Sequence, residues 1–352
     1  SIISMKQTED LLYNWYINTS TVFPWRKSRN PYQIWISEIM LQQTQVSTVI
    51  PFYLKWIDKY PGINDLQNVQ VDSLLKLWEG LGYYRRVINI YNAHKQIIKY
   101  YNNKIPDTYD ALMNLPGIGD YTACAILSIA YNKPYASIDA NIKRVISRLY
   151  TLQPSKQKVL IYKSYVQNYF LKYQPGIMNQ SLMDLGREIC TAKKPKCIEC
   201  PVNITCLAYK KNTVFLFPVK NKKKYIPLYN VVVGIIYKKN HFLISKRKKN
   251  GMLANLWELP GGKIEKNESS IECLTREIKE ETDLNIEVKQ YIGNIYHQYS
   301  HFKINVKLYQ CQYISGEAKP ISSQQVKWIN KKNINQFTFP TATHKLFKLL
   351  ED

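Results

Sequence analysis

Four cysteines, Cys190, Cys197, Cys200 and Cys206, fall within 17 residues in the spacing C-x6-C-x2-C-x5-C. Thiols at that density, in a lysine-rich chain without a secretory leader pattern, read as a soft-metal site and not as a disulfide framework. A structural zinc site usually pairs two short Cys hairpins, and only Cys197 and Cys200 form one here. A cubane iron–sulfur cluster held by four thiolates is the other chemistry open to this donor set. Cys124, Cys273 and Cys311 sit in apolar patterns and read as small core residues. Glu38 shares a helical face with Ile34, Leu41, Gln42 and Gln45, so it is either a surface residue at the edge of an apolar stripe or a buried acid with a raised pKa. The string Leu115-Pro116-Gly117-Ile118-Gly119 closes one helix and opens another. Its glycines let backbone approach a phosphate, and the following helix offers unpaired N–H groups to it. Asp139 lies 20 residues beyond Gly119, just before Asn141. Farther on, Glu277, Glu280 and Glu281 share one helical face, which could gather oxygen ligands for Mg²⁺ or could be a plain solvated surface.

The elements that must position these residues change character along the chain. Up to about residue 212 the pattern is helical. Asn30-Pro31 looks like an N-cap followed by Pro at the first helical position, which predicts a helix running through Gln45. Further helical spacing covers 84–101, 120–131 and 141–149, with breaks at Pro61-Gly62, Gly80-Leu81-Gly82 and Pro116-Gly117. After Lys224 the period shortens. Val231-Val232-Val233 with Ile235-Ile236, then Phe242-Leu243-Ile244, predict a strand pair turned at 238–240. A helix over 269–281 and strands around 286–291 and 304–313 follow. The boundary expected is the segment 214–227, with Pro218, Pro227 and the run Lys222-Lys223-Lys224, giving domains over 1–213 and 228–352.

Composition narrows the partner. Lys plus Arg is 49 against Asp plus Glu at 26, a net charge of +23. That excess favours a polyanion, through release of its condensed counterions. Codon bias is the alternative, because Lys, Asn, Ile and Tyr are all abundant. The stretch 193–224 argues for more than bias, with nine lysines and one acid, Glu199. No apolar run approaches the roughly 20 residues needed to cross a bilayer. Residues 1–10 lack a basic and then apolar layout, so a soluble intracellular protein is expected, with no membrane partner.

The cysteine spacing resembles the [4Fe–4S] loop of the endonuclease III and MutY glycosylases. Leu115 to Gly119 with Asp139 resembles the helix-hairpin-helix plus Asp signature of base-excision glycosylases, and Ser37-Glu38-Ile39-Met40-Leu41-Gln42-Gln43-Thr44-Gln45-Val46 looks like the catalytic-acid segment of MutY-type adenine glycosylases. The likeness runs from Trp25-Arg26 through the cysteine loop and, more loosely, to the C-terminus. It implies a multidomain chain: an all-α helix-hairpin-helix domain with the cluster loop over 190–206, then an α+β Nudix-like domain. It further implies a monomer that hydrolyses the N-glycosidic bond of adenine opposite 8-oxoguanine or guanine in double-stranded DNA. Such an enzyme works in the cytoplasm or nucleoid of a bacterium, or the nucleus or mitochondrion of a eukaryote.

In that likeness Glu38 protonates the adenine and Asp139 stabilises or briefly traps the sugar cation, assisted by Tyr121 and oriented by Asn141. Two carboxyl groups in different protonation states suit an oxocarbenium-like transition state. Trp25, Arg26, Leu41 and Gln180 line the pocket for a flipped adenine. Gln43 and Tyr83 wedge into the base stack, and Gly117 and Gly119 approach the DNA backbone. The carbonyls of Met113, Leu115 and Ile118 hold a monovalent cation or calcium. The four cysteines hold the [4Fe–4S] cluster. Gly262-x5-Glu268-x7-Arg276-Glu277-Ile278-x-Glu280-Glu281-x-Asp283-Leu284 resembles the magnesium-binding Nudix box, with Asp283 in place of the final glycine. Inherited architecture, and not nucleotide hydrolysis, is the expectation for it. Tyr299-Ser300-His301 resembles the aromatic-Ser-His loop that recognises 8-oxoguanine. An endonuclease III-like enzyme is the alternative, but its nucleophilic lysine is replaced here by Tyr121, which forms no Schiff base. A pure damage-binding protein has no need of the Glu38 and Asp139 pair.

Overall fold

The computed structural model describes residues 2–19, 21–153, 158–219 and 225–351. The lysine run at 222–224 lies outside those residues. Contacts divide the chain into two units: Ser1–Asn68 with Asn89–Lys222, and Val69–Ile88 with Lys223–Asp352. The second unit therefore takes in a segment from the helical half of the sequence.

The first unit is helical. Asn30 caps the Pro31–Leu41 helix as expected, its side-chain oxygen accepting from the Tyr32 N–H at 2.9 Å. The helix stops at Leu41, short of the predicted Gln45, because Gln42 leaves helical geometry and Gln43 turns into the left-handed region at φ 55°. A separate helix, Val46–Lys59, follows. The hairpin is formed by Tyr109–Met113 and Asp120–Ile129, with Gly117 at φ 79° in the turn between them. A Cβ at Gly117 would sit 2.6 Å from that of Asn89, so both the conformation and the space demand glycine. Asp139 is the N-cap of Ala140–Tyr150. That helix buries Ile142, Val145, Ile146 and Leu149 against Met178, Leu182 and Leu185 of Pro175–Glu188.

The second unit is built on a mixed sheet of β1 (Leu228–Lys238), β2 (His241–Lys246), β3 (Trp257–Glu258), β4 (Gly261–Lys263), β5 (Asn285–Gln298), β6 (Lys303–Ser315) and β7 (Gln325–Ile329). The order is β3-β2-β1-β6-β5, with β4 on β1 and β7 on β2. β1 and β2 form the expected antiparallel pair, closing at Lys238 opposite His241, while β1 and β6 run parallel. Alternation along β1 sends Val232 and Ile236 to one face and Val233 and Ile235 to the other. The first face packs on Leu274 and Ile278 of the Ser270–Thr282 helix. The second packs on Phe339, Leu346 and Phe347, the latter two from Thr341–Lys348. Cys124, Cys273 and Cys311 are buried, as their apolar settings predicted.

Candidate active site

Glu38 lies near the end of a helix that buries Tyr32 and every residue from Ile34 to Met40. The residue is only 6% exposed, and its carboxylate accepts a hydrogen bond from the Tyr121 hydroxyl at 2.8 Å. Burial pushes the Glu38 carboxyl up to about 7; the Tyr121 hydroxyl and the Arg26 charge pull against that rise, and Asp139 adds to it. The same burial, with two carboxylates nearby, holds the Tyr121 phenol well above its ordinary value. Of the two readings of Glu38 that spacing allowed, the structure selects the buried acid.

Asp139 is held differently. One of its oxygens accepts from the Ile142 N–H at 2.6 Å and the other from Asn141 Nδ2 at 2.9 Å. Burial raises its carboxyl, and these donors together with Arg144 partly offset the rise. Hydrogen bonds to the ionised form and the helix N-terminus favour the carboxylate here. Arg144 donates to Asn141 Oδ1 at 2.8 Å and to the carbonyls of Gly186 and Cys190 at 2.6 and 2.7 Å. A chain of hydrogen bonds thus runs from the cysteine loop to Asp139.

Both acids open on one cavity of about 460 Å³, which Trp25, Arg26, Leu41, Gln43, Tyr121, Asn141 and Gln180 also line. Trp25 is buried, stacked on Phe23 at 5.3 Å and edge-on to Tyr53 at 5.4 Å. Arg26 is clamped by both oxygens of Asp184, at 2.6 and 2.8 Å. Gln180 accepts from the Tyr16 hydroxyl at 2.8 Å. All four residues expected in a base pocket therefore meet in one place. Asp184, Tyr16 and Arg144 were not found from the sequence. Arg144 had a detectable signal, three residues after Asn141 on one helical face; Asp184 and Tyr16 had none.

Gln43 and Tyr83, the two expected wedges, both adopt left-handed backbone, at φ 55° and 49°. Few non-glycine residues do so, and such conformations cost of order 1–3 kcal/mol and cluster at functional sites. Tyr83 is 46% exposed and belongs to the second unit. In the hairpin, Gly119 is the N-cap of Asp120–Ile129 with open space beside its Cα.

The four cysteines line one small cavity together with Arg148. Among the described residues no three His, Cys, Asp or Glu side chains converge as they would around a single metal ion. Burial raises Cys197, Cys200 and Cys206, Cys200 to about 12, which favours their neutral thiol form. An all-sulfur donor set around a shared space fits an iron–sulfur cluster. Arg148 is buried and donates to the carbonyls of Val214, Phe217 and Thr191 at 3.1, 3.0 and 2.8 Å and to Cys190 Sγ at 3.3 Å.

In the second unit, Tyr299 N–H donates to the Phe302 carbonyl at 2.8 Å, closing the β5–β6 turn with Ser300 and His301 exposed at its tip. The Tyr299 ring packs on Phe302 and His297. Around the Nudix-like box, Arg276 draws in Glu268 at 2.8 Å, Glu277 at 3.1 Å and Glu280 at 3.2 Å. Glu281 accepts from Gly261 N–H and Ser322. Asp283 adopts φ 59° as the helix C-cap and pairs with Lys279 and Lys319, filling the left-handed position a glycine would take. No helix among the described residues is long and apolar enough to cross a membrane.

Residues 36–167 match the HhH-GPD superfamily of base excision DNA repair proteins, and residues 231–349 match the NUDIX domain. The adenine DNA glycosylase of Buchnera aphidicola subsp. Schizaphis graminum (strain Sg) is 33% identical over 97% of this chain and 98% of its own length. That of Buchnera aphidicola subsp. Baizongia pistaciae (strain Bp) is 40% identical over 71% of this chain and 72% of its own. Among solved structures, a thermostable thymine-DNA glycosylase superposes with a TM-score of 0.53 at 28% identity, covering 59% of this chain and 97% of that one. A helix-hairpin-helix glycosylase fold followed by a Nudix fold is the architecture the sequence predicted.

Proposed function

We propose, from the premise that this chain belongs to the adenine DNA glycosylase family and is a DNA-binding base-excision-repair enzyme that removes adenine from DNA, that Glu38 and Asp139 hydrolyse the N-glycosidic bond of adenine mispaired with 8-oxoguanine or guanine. The observation that carries this reading is the pair of buried carboxyls on one cavity, both raised by burial, with the rise of Asp139 partly offset by the Ile142 N–H and Asn141. Glu38 is a buried acid near 7, and Asp139 is a carboxylate fixed by a helix N-terminus.

Glu38 gives its proton to a ring nitrogen of the flipped adenine. The bond from sugar to base breaks, its electron pair leaves with the base, and Asp139 faces the resulting cation. Water then adds to the sugar and its proton returns to Glu38. Tyr121 hydrogen-bonds Glu38 and assists Asp139, and Asn141 orients Asp139. Trp25, Arg26, Leu41 and Gln180 hold the base. Gln43 and Tyr83 fill the stack beside the orphaned partner, which Tyr299, Ser300 and His301 read. Gly117 and Gly119 admit the DNA backbone, with a monovalent cation or calcium on the carbonyls of Met113, Leu115 and Ile118.

Cys190, Cys197, Cys200 and Cys206 would hold a [4Fe–4S] cluster, whose iron–sulfur bonds would fix the loop that reaches Asp139 through Arg144. The protein acts as an intracellular monomer, with a glycosylase domain over 1–213, a linker over 214–227 and a Nudix-like reader over 228–352. The box carboxylates, each paired within the chain, serve that reader as architecture.

The test is incubation with duplexes carrying A opposite 8-oxoguanine, A opposite G, and thymine glycol, followed by alkali. Breaks should appear at adenine alone, fastest opposite 8-oxoguanine, and borohydride should trap no enzyme on the product, since Tyr121 forms no Schiff base. Cleavage at thymine glycol with efficient trapping would overturn the assignment in favour of endonuclease III-like chemistry.

A further inference from the structure

The turn that carries Tyr83 is unusually constrained. Gly80, Gly82 and Tyr83 all have left-handed backbone, at φ 98°, 79° and 49°. The Gly82 carbonyl accepts from Trp78 Nε1 and from Arg86, each at 3.0 Å. The residues flanking the turn then take both polar groups of one distant peptide position. Glu79 Oε1 accepts the Phe339 N–H at 3.0 Å, and the Tyr84 hydroxyl donates to the Phe339 carbonyl at 3.3 Å. The same hydroxyl accepts from the Gly80 N–H at 3.2 Å. Glu79 Oε1 also meets His344 Nε2 at 2.8 Å, and its other oxygen is paired with Lys76. Phe339 is fully buried in the core of the second unit, against Phe347 at 5.1 Å, so the clamp has a rigid anvil.

A carboxylate with this many partners does more than decorate a surface. Glu79 is 14% exposed in its side chain. Losing it would leave the buried Phe339 N–H unpaired and release one of the two arms that grip Phe339. A non-glycine residue in left-handed backbone persists only where its surroundings over-determine it. Freed of that arm, Tyr83 would relax away from its present pose while the helical unit that holds Glu38 and Asp139 keeps its own contacts.

We propose that Glu79 is a positioning residue for recognition of the base opposite adenine: with Tyr84 it clamps Phe339, fixes the turn that presents Tyr83, and thereby sets the preference for 8-oxoguanine over guanine. The inference rests on the reading of Tyr83 as the residue that stacks beside the lesion.

Single-turnover adenine release from duplexes with A opposite 8-oxoguanine and A opposite G, measured on the full chain, tests it. Glu79→Ala should lower the ratio of the two rates about tenfold, the equivalent of about 1.4 kcal/mol. The A opposite G rate should change less than about twofold, within ordinary scatter for independent sites. Glu79→Gln keeps an acceptor for Phe339 N–H and should recover part of the ratio. The double variant Glu79→Ala with Tyr83→Ala should be no worse than Tyr83→Ala alone, because one residue acts through the other. Should Glu79→Ala fail to fold, Glu79→Gln and His344→Ala carry the comparison, each with a smaller drop in the ratio. Equal losses on both duplexes, an unchanged ratio, or additive losses in the double variant would overturn the proposal. Tyr83→Ala without effect would sink the reading of Tyr83 and this inference with it. An effective Tyr83→Ala beside silent Glu79 variants would sink the clamp alone.

Discussion

Removing the Tyr121 hydroxyl should make adenine excision more tolerant of alkali. With Glu38 as the proposed proton donor, the rate should fall about tenfold for each pH unit above its pKa, which stands at about 7. Tyr121 donates to Glu38 at 2.8 Å, a bond that favours the ionised carboxylate and so lowers that value. Tyr121→Phe deletes the donor and keeps the ring. A hydrogen bond to a charged group contributes about 1.5–3 kcal/mol, and about 1.4 kcal/mol is one pKa unit. With Arg26 still contributing its charge, Glu38 should rise by about one unit. The alkaline limb of the single-turnover rate should therefore move up by about one unit, even though the plateau falls if Tyr121 also assists Asp139 as proposed. The assay is excision of A opposite 8-oxoguanine across about pH 5.5–9.5, with each enzyme normalised to its own plateau. An alkaline limb that stays in place, or moves to lower pH, would refute the assignment of Glu38 as the acid held down by Tyr121.

Three further outcomes are expected. Because burial lifts Glu38 above its ordinary value of 4.5, its contribution to stability is full below that value and is lost as pH rises through about 7. Glu38→Gln should therefore abolish excision yet melt several degrees higher than the parent at alkaline pH, with a ceiling of about 3 kcal/mol; equal melting curves at acid and alkaline pH would contradict this. Arg148→Ala should strip hydrogen bonds from the carbonyls of Thr191, Val214 and Phe217, lowering the melting temperature and the iron bound per chain, at about 1–3 kcal/mol for each buried acceptor left unpaired. Retained iron with unchanged melting would count against a cluster seated by that residue. Ser300→Ala with His301→Ala should depress excision opposite 8-oxoguanine far more than opposite guanine, and equal depression in paired single-turnover assays would remove the loop from lesion reading.

Much of the site could be read from the chain because its chemistry is local. The four thiols lie within one loop, and Asp139 meets its partners Asn141 and Ile142 within three residues. The strand pair, the Ser270–Thr282 helix and the hairpin likewise follow from period, caps and glycines. Glu38 resisted the same treatment. Its helix is buried on nearly all sides, so the apolar stripe beside it does not tell whether Glu38 is inside or outside. The end of that helix was missed for a related reason. Gln43 takes a left-handed conformation that its residue type does not announce, as Tyr83 also does. Tertiary pairs left still less trace. Arg26 and Asp184 are 158 positions apart, and Glu79 and His344 are 265 apart. The membership of Val69–Ile88 in the second unit rests on contacts of the latter kind, which no local pattern encodes.

That division of the chain bears on how excision and discrimination are separated. Glu38, Tyr121, Asp139, Asn141, Trp25, Arg26, Leu41 and Gln180 all belong to the first unit, whereas Tyr83, Tyr299, Ser300 and His301 belong to the second. The groups assigned to adenine are held in part by a helix cap and a buried ion pair of the first unit. The groups assigned to its partner base are fixed by a turn clamped on Phe339 and by a strand hairpin. Substitutions in one set need not disturb the packing of the other, and distant sites without shared partners act nearly additively. Gln43 is the exception, since it joins the adenine cavity and is also the left-handed residue next to the catalytic helix. It is therefore the position where excision and discrimination should be hardest to separate: Gln43→Ala should reduce rates opposite both guanine and 8-oxoguanine, unlike the variants of the second unit. A loss confined to the 8-oxoguanine duplex would place Gln43 with the readers and remove the one point at which the two tasks meet.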